Sequence, residues 1–284
     1  MDPFAERCWP LAHGRSLTLG PRALIMGVLN VTPDSFSDGG EFIDPNAALD
    51  RAAAMEAAGA HIIDVGGEST RPGAQPVDAA TERDRILPVI ERIAKGLDVA
   101  ISVDTYRAST AQAALEAGAH IVNDVWGCQR EPALAQAAAR TGAGLVIMHT
   151  SREREPCSDP IDDQRAFLTR SLAIAASAGV RDEAILLDPG FGFGKEADTN
   201  WQLLARLDEL HGLGRPLLVG TSRKRFLGAA TGRDAAQRDD ATAATSVVAR
   251  CKGAAIVRVH DVARNRDALA VADATLAAGR AARA

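Results

Sequence analysis

Eight short apolar runs punctuate this chain, and they constrain its fold more than any other feature. They occupy residues 23–30, 61–66, 99–105, 120–125, 144–149, 185–188, 216–221 and 255–260. Each is rich in Val, Ile and Leu with little alternation, as expected of parallel strands buried on both faces. Helical spacing fills the gaps. Ile86, Ile90 and Ile93 share one helical face, as do Leu203, Leu207 and Leu210, and Leu269, Ala272 and Leu276. Pro88 predicts a bend or a start in the first of these helices. Gly59, Gly118 and Gly179 stand shortly before strands, where a helix ends in a left-handed residue. Eight strand–helix units predict a closed (β/α)8 TIM barrel, an α/β fold. A doubly wound open sheet fits the same pattern and stays open at this point. The expected layout is a single barrel domain over residues 21–284. Residues 1–20 form a short N-terminal extension without a clear helix, read as a hairpin capping the barrel bottom.

With 284 residues, the chain can bury a full core without staples. Only 4% of residues are aromatic, which argues against stacking platforms for single-stranded nucleic acid. The formal net charge of −5 has the wrong sign for a phosphate-backbone binder, so no nucleic-acid partner is expected. An anionic small molecule must therefore meet a local cluster of Lys and Arg. Cys8, Cys128, Cys157 and Cys251 lie far apart with no CxxC, which fits reduced thiols in the cytoplasm. The start Met1-Asp2-Pro3, with acidic Glu6 close behind, lacks the features of a signal peptide. No run is long and apolar enough to predict a membrane span.

In a barrel, function sits where strands end. Here those ends carry Asn30, Asp104, Asn123, Asp188, Lys224, Arg258 and His260. Any one of them is readily a turn or a helix cap. Seven together, on different units, point to a site. A period of two puts Arg258 and His260 on one face of the last strand. Their donors suit phosphate oxygens, although a surface salt bridge from Arg258 to Asp261 accounts equally for this segment. The loop Gly190-Phe191-Gly192-Phe193-Gly194-Lys195 matches neither phosphate-binding glycine template and reads as a tight turn. Its aromatic residues could cover a flat ring. His61, His120 and His149 read as core or rim residues, since no metal-binding histidine spacing occurs. No G-x-S-x-G elbow supports a hydrolase.

Several stretches then resemble the dihydropteroate synthase family. The run from Ile25 through Asn30-Val31-Thr32-Pro33-Asp34-Ser35-Phe36-Ser37-Asp38 to Gly40 is similar to its first signature. Ile63-Asp64-Val65-Gly66-Gly67-Glu68-Ser69-Thr70-Arg71-Pro72-Gly73 is similar to its second. Further matches follow in family order at Ser102–Thr105, Asn123–Val125, Leu187–Lys195, Ser222–Lys224 and Arg258–Asp261. The resemblance implies a transferase that joins 4-aminobenzoate to (7,8-dihydropterin-6-yl)methyl diphosphate in folate biosynthesis. The products are 7,8-dihydropteroate and diphosphate, magnesium assists, and sulfonamides compete for the aminobenzoate site. The family is usually a homodimer. Carried over by position, Thr70, Asp104, Asn123, Met148, Asp188, Phe193 and Lys224 correspond to the pterin pocket. Asn30, Arg258 and His260 correspond to the diphosphate site, with Asn30 also a Mg2+ ligand. Phe36, Asp38, Arg71 and Pro72 correspond to mobile loops over the second substrate. Asp104, Lys224, Arg258 and His260 are the expected catalytic residues.

The chain departs from many members in three loops. Thr150-Ser151-Arg152-Glu153-Arg154-Glu155 follows His149, Trp126-Gly127-Cys128 replaces a small segment, and Arg225 follows Lys224. These touch rim contacts and inhibitor sensitivity. A pterin-binding methyltransferase domain would share the Asp and Asn contacts but has no need for the Arg258-x-His260 pair. A catalytically silent pterin binder need not keep Lys224, Arg258 and His260.

Overall fold

The computed structural model describes residues 2–32, 44–69 and 75–282. The chain opens with an antiparallel hairpin of β1 (Arg7–Pro10) and β2 (Ser16–Leu19), joined through a 3-10 turn at Ala12–Gly14. Eight parallel strands then close into a barrel. They are β3 (Leu24–Asn30), β4 (Ile62–Gly66), β5 (Ala100–Asp104), β6 (Ile121–Asp124), β7 (Gly144–Met148), β8 (Ile185–Asp188), β9 (Leu217–Val219) and β10 (Ala254–Val259). The last strand pairs with the first, Arg258 opposite Met26, so the open sheet is excluded.

The helices surround the strands: α1 (Pro45–Ala57), α2 (Ala79–Gly96), α3 (Ala108–Glu116), α4 (Ala133–Thr141) and α5 (Pro160–Ser177). After them come α6 (Ala197–Ala205), α7 (Arg225–Thr231), α8 (Asp239–Cys251) and α9 (Val262–Ala281). Several starts carry the expected side-chain cap: Asp44, Asp78, Asp159 and Asp261 each accept a backbone N–H of the first turn.

Two helical expectations need correction. Pro88 does not start its helix, because α2 begins at Ala79 and continues past it to Gly96. Ile86, Val89, Ile90 and Ile93 are all buried, and their packing outweighs the one backbone hydrogen bond that Pro88 removes. The run containing Leu203, Leu207 and Leu210 is not one helix. It breaks at Arg206, whose side chain bonds Glu209 and Asp159, and continues as a 3-10 segment, Leu207–Leu213. All three leucines remain buried.

Strand alternation divides the core into two layers. Outward residues such as Ile25, Ile63, Val103 and Val257 pack under the helices. Inward residues Met26, Ile62, Ala100, Ile121, Val146, Leu186, Leu218 and Ile256 form a separate plug inside the barrel. Trp9, Leu11 and Leu19 of the hairpin belong to this inner cluster. Trp9 is fully buried, and its indole N–H donates to the Ala184 carbonyl at 2.9 Å. Gly144 permits this approach: a Cβ there would stand 2.6 Å from Leu11 and 2.9 Å from Trp9. One and two steps farther along the same inward rows, the apolar plug gives way to Asn30, Asp64, Asp104, Asn123, Asp188 and Arg258.

Candidate active site

At the C-terminal ends of the strands lies a cavity of about 960 Å³. Asn30, Asp104, Phe193, Lys224, Arg258 and His260 line it. They come from β3, β5, the loop after β8, the loop after β9, β10 and the residue following it. Asn123, one residue before the end of β6, and Met148 and Asp188, which end β7 and β8, share the same inward parity and are buried. Thr70, Phe36, Asp38, Arg71 and Pro72 lie outside the described residues.

The centre of the arrangement is an ion cluster. Arg258 donates from Nε to Asp64 at 2.6 Å and from Nη2 to Asp104 at 2.8 Å. A surface bridge from Arg258 to Asp261 is not what forms. Asp261 instead caps α9 and lies 3.6 Å from Arg264. Asn123 Nδ2 donates to the same Asp64 oxygen at 3.2 Å. Burial drives the Asp104 carboxyl up to about 7, and the Asp64 charge adds to the shift, together outweighing Arg258. Burial opposes the Arg258 charge, but Asp64 and Asp104 win and hold the guanidinium above its ordinary value.

Lys224 follows Arg223, whose backbone is left-handed at φ 57°. Its ammonium donates to the Phe191 carbonyl and lies 4.7 Å from the centre of the Phe193 ring. Burial pushes the Lys224 amine down to about 8, against the pull of Asp188. Burial raises the Asp188 carboxyl, with Lys224 opposing, and Asp188 accepts the Gly190 N–H at 2.7 Å. The glycine loop is a tight turn, as expected: Gly190, Gly192 and Gly194 all have positive φ. A Cβ on Gly190 would fall 1.8 Å from the His149 carbonyl oxygen, so only glycine fits there. Lys195 braces the loop by donating to the Gly190 carbonyl at 2.8 Å.

His260 and Ser222 are tied twice. The His260 N–H donates to Ser222 Oγ at 3.2 Å, and the same Oγ lies 2.9 Å from Nδ1. The other strand-end histidines are structural. His61 and His120 accept the backbone N–H groups of Ile25 and Ile101, and His149 pairs with Asp163 at 2.9 Å.

Sequence reasoning assigned no role to Asp64, Ser222 or Arg152. Arg152 lines the cavity, with its guanidinium 4.6 Å from the Phe193 ring centre. The signal for Asp64 was present: an acid inside an apolar strand is rarely buried without a partner.

Among the described residues no cluster of three His, Cys, Asp or Glu could cage a metal ion. Asn30 is one of several oxygen-bearing side chains that line the cavity, and Asp104, a carboxylate on the same wall, is already bonded to Arg258. Oxygen side chains without a carboxylate cage fit a magnesium ion that takes most of its ligands from a phosphate group and water. No helix among the described residues is long and apolar enough to cross a membrane.

Residues 26–260 match the pattern of the pterin binding enzymes. A curated relative, the dihydropteroate synthase of Bacillus subtilis (strain 168), is 48% identical over 247 residues, covering 87% of this chain and 86% of the relative. The Xanthomonas albilineans dihydropteroate synthase solved with 4-aminobenzoic acid superposes with a TM-score of 0.88 at 41% identity, covering 94% of this chain and 98% of that one. The Yersinia pestis dihydropteroate synthase solved with a sulfonamide drug gives 0.87 at 43% identity, again covering 94% and 98%.

Proposed function

The chain belongs to the pterin binding enzyme family, and from that premise we propose how its barrel mouth carries out the dihydropteroate synthase reaction. The enzyme is a transferase that condenses (7,8-dihydropterin-6-yl)methyl diphosphate with 4-aminobenzoate, giving 7,8-dihydropteroate and diphosphate. The observation that carries the residue assignments is the meeting of Arg258, Lys224, Asp104 and His260 on one cavity wall inside a protein of negative net charge.

The pterin's amino-pyrimidine edge is a row of N–H donors. Asp188 accepts from it in pairs, Asn123 contributes its carbonyl oxygen, and Lys224 donates to the ring's carbonyl side. Met148 and Phe193 give apolar contact to the ring faces. Arg258 and His260 hold the diphosphate as the methylene C–O bond breaks and the electron pair leaves with the phosphate oxygen. Asp104 favours the cationic pterin that results. The neutral aniline nitrogen then attacks the methylene, and its extra proton passes to water or phosphate. Asn30 would hold a magnesium ion from the protein side, and the ion would neutralise charge on the leaving diphosphate. The free thiols of Cys8, Cys128, Cys157 and Cys251 support a cytoplasmic, reducing setting, and the family resemblance supports a homodimer.

The test is product formation from both substrates. Lys224→Ala is expected to lower the rate by about 10²–10³. Excess chelator is expected to stop turnover, and magnesium to restore it. Normal kinetics in the Lys224 variant would reject its assignment, and full turnover in chelator would reject the metal.

A further inference from the structure

Asp64 is completely buried, is not part of the cavity wall, and yet touches two groups assigned to the substrate. Its Oδ2 is a shared acceptor for Arg258 Nε at 2.6 Å and Asn123 Nδ2 at 3.2 Å. The strand order places β4 two positions from β10 and two from β6. One inward carboxylate therefore ties together side chains of strands that do not pair with each other.

This bond also decides which end of the Asn123 amide is available. With Nδ2 committed to Asp64, the carbonyl Oδ1 is the free end. Asn123 Oδ1 and Asp64 Oδ1 are both buried and without a hydrogen-bond partner among the described residues. Buried acceptors in that state are met by a donor from a ligand or an ordered water.

We propose that Asp64 is a positioning residue of the reaction: through one oxygen it fixes the direction of the Arg258 guanidinium and presents Asn123 as an acceptor. The inference rests on the reading of Arg258 and Asn123 as substrate-binding groups. Without Asp64, Arg258 turns toward Asp104 alone. The Asn123 amide then rotates freely and offers its NH2 to an edge already full of donors.

Two variants separate positioning from charge and from simple structural support. Asp64→Asn keeps one oxygen able to accept both bonds, whereas Asp64→Ala keeps none. In steady-state assays, Asp64→Ala is expected to raise KM for the pterin diphosphate by about tenfold or more, with KM for 4-aminobenzoate within about twofold. Asp64→Asn is expected to recover most of that loss. Should Asp64→Ala not yield folded protein, Asp64→Ser takes its place, since its short hydroxyl cannot serve both donors. An unchanged pterin KM in the Ala or Ser variant would overturn the inference. So would an Asn variant as impaired as Ala, because charge rather than direction would then be what matters. Asn123→Ala and Arg258→Ala are run beside them. If those two also leave the pterin KM unchanged, the underlying reading fails. If they raise it and Asp64→Ala does not, only the positioning role fails.

Discussion

Asp104 and Lys224 face one cavity with acid–base properties drawn toward each other by burial. The carboxyl is pushed up to about 7 and the ammonium down to about 8. If the reaction uses the carboxylate and the ammonium, kcat/KM rises with pH through about 7 and falls above about 8. Asp104→Asn is expected to flatten the acid limb, and Lys224→Arg the alkaline limb, since a guanidinium stays charged throughout. A pH–rate profile of the three proteins checks both. The stability effect of Asp104 has the opposite sense to its activity effect. Between the ordinary carboxyl range and about 7 the folded protein holds a proton that the unfolded chain has released. That contribution to stability is therefore lost as pH rises through this window. Residue types at strand ends were legible because a polar side chain after an apolar run is conspicuous. Asp64 was less so: it lies two residues before its strand ends, and only inward parity combined with barrel closure brings it to Arg258 and Asn123.

At the scale of elements, the first turns of α8 hold the Lys224 turn in place. Arg238, just before that helix, donates from Nη1 to the carbonyls of Arg223 and Lys224 at 3.1 and 3.4 Å. Asp239 takes the Arg223 guanidinium on both oxygens at 2.7 and 2.8 Å. Thr242 accepts the Arg223 N–H at 3.1 Å. A left-handed non-glycine residue persists only where its surroundings over-determine it, and these bonds do so for Arg223. Arg238→Ala is expected to lower kcat/KM by about 10–10²-fold through misplacement of Lys224. Arg238→Lys is expected to restore little, since an ammonium that reached the two carbonyls would lose the separate Nε bond to the Arg233 carbonyl, 2.8 Å, that holds the side chain in place. Steady-state kinetics beside a thermal melt checks this, with a folded but fully active Arg238→Ala opposing it. Element positions were readable to within one or two residues at each strand because buried parallel strands are continuous apolar runs. The break at Arg206 was not, because it depends on bonds to Glu209 and Asp159, the latter in a different unit.

For the whole molecule, one end of the barrel is filled and the other holds the chemistry. Trp9 contributes a fully buried ring to the inner plug, so Trp9→Ala is expected to cost about 3–5 kcal/mol in a denaturant titration. Because the damage is at the far end, the surviving folded fraction is expected to keep its KM for both substrates. Barrel closure itself was not legible from periodicity, since open and closed sheets share the same apolar runs. It follows from a pairing between residues about 230 positions apart, a separation that carries a slowly growing entropy cost but leaves no local trace in the chain. That pairing has a consequence for synthesis. While the polypeptide is being made, the outer β3 edge has no partner until β10, about 230 residues later, leaves the ribosome. Asp64 and Asp104 await the same moment, because the arginine that neutralises them is carried on that last strand. Until then the barrel carries an open seam and an unbalanced pair of acids, and its last strand closes the seam and delivers the counter-charge in one event.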